Sequence, residues 1–179
     1  MRDEQWFSNL RDVVEPLGSR GIDVLQFLPA RIFNEEVLSF GYRIGLFTVA
    51  DAVRIALLRL EEGIELTPAE KAIAFSFEKD NREVGISLLD IPLDRFPLTE
   101  RRCRFLVVCL IRDAWGEIPD AELELQSFLV SWQGTVSFGL AELTPRGFDS
   151  LWFGSRARQR FLGRLDNAIA FERAEVLFD

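Results

Sequence analysis

Apolar side chains recur along this chain at helical spacing, punctuated by residues that start and stop helices. In "LTPAEKAIAFSFEKDNREVG", Leu66 to Gly85, Thr67 can cap a helix, and Pro68 suits the first helical position because its missing N–H is unneeded there. Glu70 can close a capping box back onto Thr67, so the pattern predicts a helix from Pro68. Ala69, Ile73 and Phe77 share one face of it, and Phe75 lies about 160 to 200° away from Ile73 and Phe77. Such a segment is either sandwiched between neighbours or turns one face to a partner.

The same start signal occurs twice upstream. Asn34 can cap a helix in which Phe33 staples onto Leu38, and Thr48 can cap another with Asp51 at the third helical position. The latter runs through "VADAVRIALLRLEE" to Gly63, a residue suited to left-handed termination. Its expected core stripe is Val49, Val53, Ala56 and Leu60, widened by Ala52 and Leu57. Downstream, "NREVGISLLDIP" reads as a short helix ended by Pro92, and Thr99 as the start of a longer one through "ERRCRFLVVCLIRDAW", with Leu98 placed to pack on Cys103. The branched run Phe105 to Ile111 also satisfies a buried strand, so both readings stand.

Asp120 can cap a helix whose Leu125, Phe128, Leu129 and Trp132 line one face, and a last helix from Ser155 to about Leu177 aligns Phe161, Leu165, Ala168 and Glu172. Between them, "QGTVSFGLAELTPRGFDS" fits a short strand or a linker. The expectation is a mainly α single domain over residues 1–179, built from several short amphipathic helices with room for a minor strand element.

Composition narrows what such a domain does. Hydrophobic residues make up 48% of the 179, with 16 Phe and 4 Trp, enough for a substantial core. The net charge of -8 repels polyanions at long range, so a basic protein surface is the expected partner and nucleic acid is not. The opening "MRDEQWF" lacks the apolar region of a signal peptide and no apolar run reaches the length of a membrane span, which points to a cytoplasmic protein without membrane association.

Histidine is absent, which removes Ser-His-Asp, Cys-His and histidine-containing metal sites together. Cys103 and Cys109 make neither a CxxC pair nor a zinc cluster and read as ordinary thiols. Asp113 and Glu117 would lie one turn apart only if their helix continued past Trp115 towards Gly116 and Pro119; a solvated helix end is the plainer reading. "FEKDNREVG" lacks the alternating ligands of a calcium loop, and no GxGxxG or GxxxxGK[ST] occurs. No catalytic residue, metal or cofactor is therefore expected. Candidate partner-binding residues are Phe75, the aromatic pair Trp152 and Phe153 among glycines, and the row Arg156, Arg160 and Arg164, which equally suits a solvated helix face. Arg101, Arg102 and Arg104 open the helix expected from Thr99, where the helix dipole disfavours cations.

The stretch "VLSFGYRIGLFTVADAVRIALLRLEEGIELTPAEKAIAFSFEKDNREVGISLLD" resembles small uncharacterised bacterial families of helical proteins, some encoded beside secreted toxins and taken to be their immunity proteins. The similarity covers Val37 to Trp132 and rests on helical rhythm and the "LTPAEK" helix start. It implies a binding protein that blocks a toxin by covering a basic surface, and it supplies no catalytic residue. Two other classes stay open: an enzyme built on carboxylate or arginine chemistry, and a structural subunit that pairs through a symmetric apolar patch. The oligomeric state is not legible.

Overall fold

The computed structural model describes residues 4–18, 23–76, 81–118, 120–132 and 155–178, and among these every regular element is helical. The α-helices are α1 (Glu4–Gly18), α2 (Glu35–Arg43), α3 (Val49–Glu61), α4 (Pro68–Ala74), α5 (Asn81–Asp90), α6 (Phe96–Asp113), α7 (Ala121–Ser131) and α8 (Ser155–Phe178), with two 3-10 turns at Val24–Gln26 and Ala30–Ile32. The chain divides into two compact units, Met1–Val107 and Val108–Asp179, with the boundary inside α6. The glycine-rich stretch 133–154 lies outside the described residues.

Helix starts follow the capping residues. The Asn34 side chain accepts the Val37 N–H at 3.0 Å and opens α2. Thr48 and Asp51 exchange bonds at the start of α3, and Thr67 and Glu70 do so at the start of α4, with Pro68 at its first position. Each reciprocal pair satisfies two backbone or side-chain donors that the first turn would otherwise leave open. Gly63 follows α3 at φ +73°, a left-handed conformation that only glycine adopts without strain. Two starts depart from the local signal. Helix α6 begins at Phe96, three residues ahead of Thr99, because Glu36 of α2 supplies the cap: its Oε2 accepts the Arg95 N–H at 2.9 Å and the Thr99 hydroxyl at 3.0 Å. Arg101, Arg102 and Arg104 consequently sit a turn inside the helix, with Arg104 buried. Asp120 precedes α7 as expected but in a left-handed conformation, and its side chain makes no capping bond.

Phe105 to Ile111 is helical, and all seven residues are buried. A helix enclosed on every side carries no polar stripe, which is why its sequence resembles a buried strand. Helix α1, which has no counterpart among the helices expected from the sequence, buries Trp6, Leu10, Val14 and Leu17 along one face. Trp6 and Phe7 pack edge-on to Phe40 at 6.1 and 5.6 Å, and Phe96 joins them at 5.6 Å from Phe40. Gly41 lies so close to the Phe47 ring that a Cβ there would come within 2.3 Å of it. Arg43 donates to the carbonyls of Leu89 and Ile91 and stacks 5.8 Å from the centroid of Phe7, stitching the end of α5 to α2.

At the centre of unit 1 is a buried ion pair. Arg59 of α3 meets Glu70 of α4 at 3.1 Å with side-chain exposures of 6% and 0%. Arg59 also donates to the carbonyls of Arg31 at 3.0 Å and Ala30 at 3.3 Å, while the other Glu70 oxygen holds the Thr67 N–H. The Thr67 hydroxyl donates onward to Glu35 of α2. One network therefore ties α2, α3, α4 and the second 3-10 turn, and the LTPAEK segment is a structural joint.

In unit 2, Leu125, Phe128 and Leu129 of α7 and its C-cap Trp132 are buried, as are Phe161, Leu165, Ala168, Glu172 and Val176 of α8. The Trp115 and Phe161 rings lie 5.8 Å apart. Arg112 grips Asp166 through two bonds of 2.6 and 3.1 Å, and this grip holds the Asp166 carboxyl below the ordinary carboxylate range.

Replacing Arg59 by Met leaves Glu70 buried without its cation and is expected to cost roughly 3 to 5 kcal/mol in urea unfolding. The paired change Arg59→Met with Glu70→Leu is expected to cost less than Arg59→Met alone, because no unpaired charge remains. A single-variant loss under about 1 kcal/mol, the range of an exposed pair, would contradict the buried-pair account.

Candidate functional site

Helix α3 carries more apolar residues than the core takes up. Its buried face is Ala52, Ile55, Ala56 and Arg59, rotated by roughly 80° from the expected stripe. Leu60, assigned to that stripe, is exposed, and Val49 and Val53 are only half-buried. The rotation has a physical cause: Arg59 occupies the core position opposite Glu70, so the neighbouring apolar positions turn away from it.

Those positions line an open groove in unit 1. Val49, Val53, Leu57 and Leu58 of α3, with Val84 of α5, supply its apolar wall, and the cavity measures about 480 Å³. This size falls within the range of small-ligand pockets, roughly 300–1,000 Å³, although the groove is open. Phe75, 55% exposed at the C-terminal cap of α4, adjoins Ser76, which lines the groove. Phe77, expected to share a face with Ile73, lies outside the described residues.

Two charged residues mark the walls. Arg54 is held by Asp23 through bonds of 2.9 and 3.3 Å. Burial pulls the Asp23 carboxyl upward, but the Leu25 N–H bond and Arg54 outweigh it and hold the group below its ordinary 3.8. Glu61 stands seven residues further along α3, a rise of roughly 10.5 Å, so it and Arg54 do not converge on one atom. Glu61, Glu62 and Glu65 are all exposed around the C-terminal end of α3. There the helix dipole already contributes negative charge, and the basic residue of the last turn, Arg59, is committed to Glu70. The groove thus combines an apolar wall with one lining glutamate, Glu61, and two further exposed glutamates, Glu62 and Glu65, follow it in sequence.

The other candidate residues distribute differently. Arg160 and Arg164 are exposed on α8 in unit 2, with the Arg164 guanidinium 5.8 Å from the Phe161 centroid. Arg156 belongs to the first turn of α8, and Trp152 and Phe153 lie outside the described residues. Trp6, Trp115 and Trp132 are buried core residues. Val53, Leu57, Val84 and Glu61 escaped the sequence-based candidate set; the signal for the first two was an apolar stripe on α3 broader than one core face requires.

Cys103 and Cys109 are free and buried; desolvation pushes the Cys109 thiol up to about 12 and Cys103 higher still, so both stay protonated at neutral pH. Among the described residues no group of three or more His, Cys, Asp or Glu side chains could hold a metal ion, and no helix is long and apolar enough to cross a membrane. No protein-family model, curated protein or solved structure matches the chain.

Asp23 reports on the groove wall. Its depressed folded-state value contributes stability above its unfolded value near 3.8, and this contribution is lost as pH falls through the folded value. Both partners are nearly half exposed, so the effect on stability is small. In a carboxylate NMR titration Asp23 should titrate below 3.8 in the native chain and move upward in Arg54→Ala. An unmoved titration would mean that the ion pair does not form in solution.

Proposed function

We propose that this chain is a protein-binding protein whose α3–α5 groove receives an apolar segment of a basic partner. The open groove carries the reading, with Glu61 in its lining and the exposed Phe75 next in sequence to the lining residue Ser76. Apolar contacts supply affinity in such a surface, and charge supplies steering and selectivity. Residues 1–107 hold 14 Lys and Arg against 18 Asp and Glu, and residues 108–179 hold 7 against 11, a net -4 in each. Overall acidity thus favours neither unit, and it is the apolar wall of the groove that marks the docking face.

An immunity protein that occludes a basic toxin surface is the biological form that suits this design. A cytoplasmic location is the natural setting for that role. Acid–base catalysis fits the groove less well, because Arg54 is engaged by Asp23 and Glu61 stands two turns away.

The direct test uses a synthetic amphipathic helix with leucines at i, i+4 and i+7 and flanking lysines, followed by fluorescence anisotropy. Binding should weaken at least about tenfold in Val53→Asp and in Phe75→Ala, a loss of roughly 1.4 kcal/mol. Reversal of Glu61 and Glu62 to Lys should lower the salt dependence of the association. Equal affinity for the native chain and Val53→Asp, with helical content unchanged by circular dichroism, would remove the groove from the function.

A further inference from the structure

Helix α8 carries a second patterned surface, independent of the groove. Its core side is Phe161, Leu165, Ala168, Glu172 and Val176. At about 100° per residue, Arg160, Arg164, Phe171 and Phe178 fall within roughly 40° of one another, and this line lies roughly 100° round the helix from the core side. Both arginines are exposed, Phe171 is 50% exposed and Phe178 is 89% exposed. Two phenylalanines aligned on water beside two arginines are more than a solvated face requires.

Arg164, Phe171 and Phe178 are separated by seven residues each, equal steps of roughly 10.5 Å along the axis. We infer that α8 pairs antiparallel with α8 of a second copy about a twofold axis at Phe171. In that register Phe171 meets its own copy, each Arg164 faces the second copy's Phe178, and Asn167 faces the second copy's Glu175. The contact is isologous: one patch satisfies itself. A cation over phenylalanine is a favourable partner, and within its own chain the Arg164 guanidinium lies 5.8 Å from the Phe161 centroid. A parallel pair in register would instead set arginine opposite arginine, a repulsive arrangement. The net charge of -8 also argues against an anionic membrane or nucleic acid as the occupant.

Two phenylalanines and one arginine from each copy make a contact below the size of a standard specific interface, and such a dimer dissociates on dilution. Sedimentation equilibrium of the full chain from about 1 to 500 µM should show monomer passing to dimer. Combining Phe171→Ala with Phe178→Ala should weaken association at least about tenfold, and Arg164→Glu should do the same. Cross-linking locates the axis. Under mild oxidation Phe171→Cys should give a disulfide-linked dimer, since the twofold brings that position against itself, whereas Ala170→Cys, about 100° round the helix, should not. A chain that stays monomeric throughout, association unchanged by the double alanine variant, or equal cross-linking at 170 and 171 would each overturn the inference. Because the residues tested lie on α8, these outcomes leave the groove reading standing.

Discussion

Arg59 sits in the core of unit 1 because Glu70 is there to receive it, and the arrangement of α3 follows from that pairing. A buried guanidinium is costly unless its charge is paired, and even here Arg59 Nε is buried without a hydrogen-bond partner. Here the carboxylate answers the charge, and the carbonyls of Ala30 and Arg31 take further donors. Glu70 is in turn fixed by its bond to the Thr67 N–H, so the anion is placed by the same capping box that starts α4. Turning α3 to bury the purely apolar stripe through Val53 and Leu60 would bring Arg59 out and strand Glu70 in the interior. The pair therefore specifies the rotation of α3, and with it which apolar residues remain available to line the groove.

The capping grammar made three helix starts readable from local residues alone: Asn34, Thr48 and Thr67 act within three or four positions of themselves. Where the cap comes from a distant part of the chain, local reading misplaces the start. Glu36 reaches Arg95 and Thr99 across some sixty positions, and nothing near Thr99 announces it. A related limit applies to Phe105–Ile111, where complete burial erases the polar face that distinguishes a helix from a strand. Helix α1 shows the converse: Trp6, Leu10, Val14 and Leu17 recur at helical spacing, and the sequence places Asp3, a capping residue type, directly before its first residue.

The candidate sites were legible to the extent that they break a pattern. Phe75 stood out because helical spacing sets it opposite Ile73, and at the C-terminal cap of α4 it is exposed. The groove wall was hidden inside an apparently ordinary apolar stripe, since Val49, Val53 and Leu57 look like core until Arg59 is known to occupy the core position. A basic residue in an otherwise apolar helix, followed eleven positions later by the glutamate of a capping box, was the available clue. Its meaning depended on a tertiary contact that periodicity does not encode.

Both proposed surfaces follow the same physical logic. Amphipathic helices in a small α-protein have one face to bury, and a second apolar line on the same helix costs solubility unless something covers it. On α3 that second line ends in exposed glutamates, a distribution that the helix dipole opposes and that suits a cationic partner. On α8 it begins with arginines and ends with phenylalanines, a polarity that an antiparallel copy of itself complements. Because the charge at the end of each line differs, the two faces select different occupants even though the apolar contribution is of the same kind.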